Sequence, residues 1–418
     1  MDESLQQQIR KARGKFAAMA CTFFLGVFND NFFKQAALVL AVAAGRNEMQ
    51  GYSLAVFTVP FIVFAAPAGW MADRFSKRSV IIGAKAVELA AMLFGAAGIC
   101  LGNWWLIFAM LATMGLQATF FSPALNGSIP ELYPAVYVTK ANAILRMIVT
   151  AAILTGVAMA GIALDRQGTG FLGIEHGRLC VAGTVIGVSL LGVLVSLGVV
   201  RRPAADPTAK FPWSGPIHTV QQLVGTLKDP LLAVTIFASV FIWFVGSLGI
   251  LIINPLGIQQ FGLSKSVTSY LIVDQLVGLA VGGLISGRIA SGERWSRVLG
   301  PSSILMGAMM LALAAVPRLA APVQVPVVFA LIGLMGIFGG VFLIPVESFI
   351  QVRPSPDRKG AILAAANFVV FTGILISGLI SNVFNAHLSP TTSFGVIGAV
   401  SVVIGFALLA GYRKLEPR

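Results

Sequence analysis

The chain has 418 residues, of which 57% are hydrophobic and 11% charged, with a mean hydropathy of +0.88 and a formal net charge of +13. No ordinary soluble domain has that composition, which indicates an all-α polytopic membrane protein. The positive charge does not indicate a nucleic-acid partner, because the basic residues are sorted by loop instead of being gathered into one patch.

About twelve apolar stretches are each long enough to span a bilayer, near residues 16–43, 51–72, 79–101, 104–123, 141–164, 178–200, 231–257, 266–287, 298–316, 323–345, 361–385 and 391–411. Small residues spread through them suit close helix packing in lipid. The first stretch carries Asn29, Asp30, Asn31, Lys34 and Gln35 in its middle. Asp30 and Lys34 are four apart and share a helix face, so they can neutralise one another. An ionisable group at that depth is costly, which leaves two readings: an ion pair that fixes helix packing, or a substrate or ion site facing a water-filled cavity. Five polar groups exceed what one pair requires, and that favours the site. The run is also too long, and too polar in its middle, for a removable signal peptide.

The second stretch ends in Gly69-Trp70-Met71-Ala72-Asp73-Arg74-Phe75-Ser76-Lys77-Arg78, where Asp73 is the one acid in a basic loop. In the third, Lys85 and Glu88 have the spacing of a structural pair. The fourth contains Gln117 and ends at Pro123, with Glu131 following. Arg146 near the start of the fifth could pair with Asp73 or snorkel to the interface. Cys21, Cys100 and Cys180 are odd in number and far apart, as packing residues are, not a disulfide or metal site. His176, His218 and His387 fall in expected loops, which leaves no intramembrane histidine for proton transfer or a catalytic dyad. No Gly-Lys-Ser/Thr phosphate loop is present either, so an enzyme reading has little support and no cofactor is expected.

A Pro-rich polar segment at 201–229 separates six stretches from six, which divides the chain into an N-terminal bundle (1–200), a linker and a C-terminal bundle (230–418). The seventh stretch has no ionisable residue between Leu231 and Gly257; its polar groups are Trp243, Ser247 and Asn254. Asp274, in the eighth, has no basic residue within four positions and is a candidate for binding a coupling proton or Na⁺, or for pairing with a cation of another helix. Gly283-Leu284-Ile285-Ser286-Gly287-Arg288 repeats the loop after the second stretch, with Gly287 where Asp73 stands in the first copy. Pro345 and Glu347 likewise echo Pro123 and Glu131, and Asn367 and Asn382 offer hydrogen bonds between helices.

With the N-terminus placed in the cytoplasm, the inside segments carry Arg10, Lys11, Arg13 and Lys15; Arg74, Lys77 and Arg78; Lys140; and Arg201, Arg202, Lys210 and Lys228. The second half follows with Arg288, Arg294 and Arg297; Arg353, Arg358 and Lys359; and Arg413, Lys414 and Arg418. The outside loops carry only Arg46, Arg166, Arg178, Lys265 and Arg318, so both termini are expected in the cytoplasm.

The loop at 69–78 resembles the Gly-x-x-x-Asp-Arg-x-x-Lys/Arg-Arg loop of the major facilitator superfamily, and the two-half, twelve-helix layout agrees with its fold. The resemblance implies a cytoplasmic gate involving Gly69, Asp73, Arg74, Lys77 and Arg78, with Glu131 and Glu347 at the corresponding helix ends. Phe28-Asn29-Asp30-Asn31 with Lys34, together with Gly115-Leu116-Gln117-Ala118-Thr119-Phe120-Phe121-Ser122-Pro123 and Gly127-Ser128-Ile129-Pro130-Glu131-Leu132, is similar to the bacterial lysophospholipid transporter family, including transporter halves fused to acyltransferases. It covers most of the first half; in the second only the general layout matches. None of the three histidines has an aspartate five residues on, so acylation would fall to a separate acyltransferase.

That resemblance implies flipping of lysophospholipids, chiefly lysophosphatidylethanolamine, from the outer to the inner leaflet of the bacterial inner membrane. On this reading the ammonium meets Asp30 and the phosphate Lys34 or Arg146. Asn29, Asn31, Gln35, Gln117 and Asn254 add polar contacts, and Trp243 and Phe244 lie against the acyl chain. Two other classes remain open: a proton-coupled exporter of amphipathic drugs or metabolites, served by Asp30 and Asp274, and a receptor or scaffold for an acyltransferase without transport.

Overall fold

The computed structural model describes residues 3–200, 203–204, 206–213, 221, 223–226, 228–290, 292–355 and 359–415. Arg201, Arg202, His218, Arg358 and Arg418 lie outside the described residues, as do the side chains of Lys11, Glu131 and Arg294. The described chain is helical, without strands: α1 Glu3–Ala43, α2 Glu48–Val63, α3 Ala65–Arg74, α4 Lys77–Leu101, α5 Trp104–Leu132, α6 Ala135–Leu164, α7 His176–Ser196, α8 Pro230–Pro255, α9 Lys265–Ile289, α10 Leu299–Ala315, α11 Ala321–Val352, α12 Lys359–His387 and α13 Pro390–Leu415.

Eleven helices among the described residues are long and apolar enough to cross a membrane, and α2 with α3 makes a twelfth, bent span. The sequence suggests one continuous helix there, but the two pieces meet at 55°. Pro67 explains the break. It has no N–H for the Val63 carbonyl, and its ring crowds that turn. Several starts are capped by side chains the sequence supplies at the right place. Ser76 accepts from the Ser79 N–H, Asn103 from Trp105 and Leu106, and Asp229 from Leu232.

Contacts divide the chain into two compact units: residues 1–37 with 56–216, and residues 38–55 with 217–418. In the first, α4 packs on α5 and α7. Its core joins Phe16, Met19 and Ala20 of α1 to Ile81, Phe121, Leu125, Ile129, Tyr133 and Leu145. In the second, α9 packs on α11, α10 on α13 and α8 on α12. The α9–α11 contact has backbone against backbone: a Cβ on Gly282 would meet the Ile337 carbonyl, and one on Gly336 the Gln275 carbonyl. Small residues at such crossings are what helix association in lipid requires.

Candidate functional site

The polar residues of α1 do not all face the same way. Asn29 is fully buried, and its amide donates to the Val185 carbonyl of α7 at 3.1 Å and, weakly, to Glu88 Oε1 at 3.5 Å. Asn31 donates to the Val27 carbonyl of its own helix at 2.7 Å. Gln35 is buried. Lys34 does not close a salt bridge on Asp30, as the spacing allowed; its ammonium lies 4.8 Å from the centroid of the Phe57 ring.

Asp30 faces a cavity of about 180 Å³ in the first unit, lined by α1, α2, α4 and α5. Lys85, Glu88, Gln117 and Ser122 share this lining, with Phe23, Phe61 and Phe121 among its apolar walls. Lys85 Nζ and Glu88 Oε2 are 2.6 Å apart, with side-chain exposures of 0% and 1%. The expected structural pair is therefore formed, but on the wall of the cavity that Asp30 faces. One carboxylate oxygen of Asp30 and the amide oxygen of Asn29 are buried without a hydrogen-bond partner. Sequence reasoning left Lys85 and Glu88 out of the site because it saw only their mutual spacing. Their signal was the presence of two more charges inside an apolar stretch.

The other candidates lie elsewhere. Arg146 is exposed on α6 and is not among the residues lining that cavity. Asn254 is wholly buried and donates to Gln50 Oε1 at 2.9 Å. Trp243 donates from its indole nitrogen to Glu347 Oε1 at 3.1 Å, and the Ser239 hydroxyl donates to the same oxygen at 2.8 Å. Glu347 thus brings a charge to α8, a helix with none of its own within the membrane. Trp243 also lines a second cavity, of about 110 Å³, whose walls are mostly apolar and include Ile242, Met306, Met310 and Met335. Asp274 lies against Gly333 of α11, with one carboxylate oxygen lacking a hydrogen-bond partner. The three cysteines are free, and Cys21 is exposed on α1 instead of packed. Among the described residues no group of three or more His, Cys, Asp or Glu is placed to hold a metal.

Residues 18–323 match the Major Facilitator Superfamily. The chain belongs to that superfamily. Two relatives bear the name lysophospholipid transporter LplT. The one from Klebsiella pneumoniae is 27% identical over 394 residues, covering 92% of this chain and 93% of its own. The one from Salmonella gallinarum is 30% identical over 339 residues, covering 79% and 78%. Solved structures share the Major Facilitator Superfamily fold at low identity. The nucleoside transporter NupG matches with a TM-score of 0.71 at 13% identity, over 96% of this chain and 99% of its own. The D-xylose-proton symporter matches with a TM-score of 0.69 at 15% identity, over 96% and 99%.

In this Major Facilitator Superfamily chain the loop at 69–78 is held by backbone contacts. Arg78 donates to the Leu197 carbonyl at 2.8 Å, and the exposed Asp73 accepts the Asp206 N–H on its backbone carbonyl at 3.0 Å. The Trp70 indole donates to the Ala209 carbonyl at 3.0 Å, and its ring meets Phe211 edge-on, with centroids 5.2 Å apart. Residues 206–213 therefore dock on this loop. Arg74 is half-buried, and Gly69 has open space where a Cβ would stand.

Proposed function

We propose that the protein is a lysophospholipid transporter of the bacterial inner membrane. It moves lysophosphatidylethanolamine-type lipids from the outer to the inner leaflet by alternating access of its halves, 1–200 and 230–418, joined by the linker 201–229. Both termini are cytoplasmic, and a separate acyltransferase re-acylates the product.

The observation that carries this reading is the similarity, over nine-tenths of the chain, to a relative named lysophospholipid transporter LplT. The cavity chemistry supports it. Two carboxylates, Asp30 and Glu88, and the Lys85 ammonium line one small chamber with aromatic walls, a setting for a headgroup with charges of both signs. The apolar cavity of the second unit has the chemistry that suits an acyl chain. The loop at 69–78 and Glu347 act as the cytoplasmic gate.

The test is uptake of radiolabelled lysophosphatidylethanolamine into proteoliposomes, with and without a pH gradient. Saturable, protein-dependent uptake that Asp30→Asn abolishes is expected. No uptake under any gradient, together with a change in lumenal pH when an amphipathic amine is added, would replace the reading with a proton-coupled exporter.

A further inference from the structure

The short connection from α6 to α7 closes into a hairpin. The His176 N–H donates to the Gly168 carbonyl at 2.9 Å and the Gly170 N–H to the Ile174 carbonyl at 2.8 Å, while Thr169 and Glu175 pair as an antiparallel bridge. His176 Nδ1 lies 3.0 Å from the Gln167 carbonyl. Arg178 ties the base to its neighbour, donating to Glu175 Oε2 and to the Ile99 carbonyl of α4, each at 3.2 Å. At the tip stand Phe171 and Leu172, 77% and 81% exposed.

Leu172 has a φ of 58°, in the left-handed region where a Cβ crowds the backbone and glycine is the ordinary occupant. It is the one non-glycine residue with positive φ among the described residues. A turn that only joined two helices would have no use for a leucine there, because glycine takes that conformation without strain. Strained residues persist where the side chain serves a function. Two large apolar side chains held out together are favourable only where an apolar partner covers them.

The length of α7 identifies the partner. Its 21 residues span about 32 Å at 1.5 Å each, close to the ~30 Å thickness of the bilayer hydrocarbon, so His176 sits at the hydrocarbon boundary. The bridge folds the hairpin back on Glu175, so Leu172, three residues away, stands no more than about 10 Å from that boundary. The headgroup layer there is about 5–8 Å deep. The other exposed side chains of the hairpin, Arg166, Gln167, Thr169, Glu175 and His176, are polar. The turn between α4 and α5, which Arg178 joins to this base, presents Leu101 and Trp105, 72% and 82% exposed, and tryptophan at a span end is a membrane anchor. We propose that the hairpin lies along the bilayer surface and inserts Phe171 and Leu172 among the lipid chains, its polar residues remaining in the headgroup layer. The insertion holds whichever substrate is carried.

The experiment places a bimane label on Phe171→Cys or Gln167→Cys in the full chain carrying Cys21→Ala, Cys100→Ala and Cys180→Ala, in nanodiscs of phosphatidylethanolamine and phosphatidylglycerol. The Phe171 label is expected to emit at shorter wavelength, to be quenched by lipids brominated on their acyl chains and to resist aqueous iodide; the Gln167 label shows the reverse. A Phe171 label as open to iodide as the Gln167 label, and indifferent to brominated lipid, would overturn the insertion and leave the tip a water-exposed surface. Leu172→Gly then tests the strained residue. Glycine keeps the left-handed backbone and so the shape of the hairpin, while the apolar anchor is lost. Iodide quenching of the Phe171 label should rise in this variant, and unchanged quenching would remove Leu172 from the inserted tip.

Discussion

A buried ammonium and a buried carboxylate stay charged inside a helical bundle only while each has the other, so Lys85 and Glu88 behave as one unit. Removing one partner leaves an uncompensated charge, which costs about 3–5 kcal/mol, while neutralising both leaves none. Glu88→Ala is expected to lower the unfolding free energy in detergent by several kcal/mol, and Lys85→Gln/Glu88→Gln by much less. Equal losses in thermal or denaturant melts would show that packing, not charge, sets the cost. A second ion pair, outside the membrane spans, gives a pH-dependent test. Arg353 Nε lies 2.8 Å from Asp229 Oδ2, and Asp229 also caps α8. Partial burial raises the Asp229 carboxyl, but the Arg353 hydrogen bond and the Leu232 N–H outweigh it and hold the group below its ordinary value of 3.8. A depressed folded value adds stability above that ordinary value, which is lost as pH falls through the folded one. Asp229→Asn should therefore melt below wild type at pH 7, with the gap closing in strong acid. A gap that stayed constant with pH would rule out an ionic contribution.

At the scale of elements, glycine placement decides which helices can touch. Gly282 of α9 lies against the Ile337 carbonyl of α11, where a methyl group has no space, while Gly287, five residues on, has nothing within 4 Å of its would-be Cβ. Gly282→Ala must push the helices apart and is expected to cost about 1–3 kcal/mol, the usual range for overpacking. Gly287→Ala should be neutral or gain up to ~1 kcal/mol from helix propensity. Melting curves of the two variants in one detergent check this, and similar temperatures would mean that α9 and α11 do not pack this closely. The sequence shows abundant small residues in both stretches but not which of them meet, because a helix face is legible from spacing and its partner is not. The break between α2 and α3 was legible in principle, since Pro67 stands inside an apolar stretch; hydropathy alone carried the reading past it.

For the whole molecule, the twelve spans and the six-plus-six layout were legible because the bilayer constrains every crossing to one length and one polarity. The chamber around Asp30 was not. Asn29 meets Glu88 59 positions away and the Val185 carbonyl 156 positions away, and no local periodicity encodes such meetings. Intramembrane charge was the cue that survived: Asp30 and the Lys85–Glu88 pair each stood out within its own stretch, and folding brought them to one cavity. The same crossing rule fixes a prediction about the termini. With α2 and α3 counted as one span the described residues hold twelve candidate crossings, an even number, which predicts both ends on the same side. By parity that side also receives the ends of the second, eighth, tenth and twelfth spans, where Arg74, Arg288, Arg353, Arg413 and Lys414 stand. Lys and Arg near span ends favour the cytoplasm, which predicts that this side is the cytoplasmic one. A green fluorescent protein fused after the last residue should be fluorescent in cells, and alkaline phosphatase at the same position inactive. Active phosphatase with a dark fluorescent fusion would place the C-terminus outside and, by the same parity, the 69–78 loop with it.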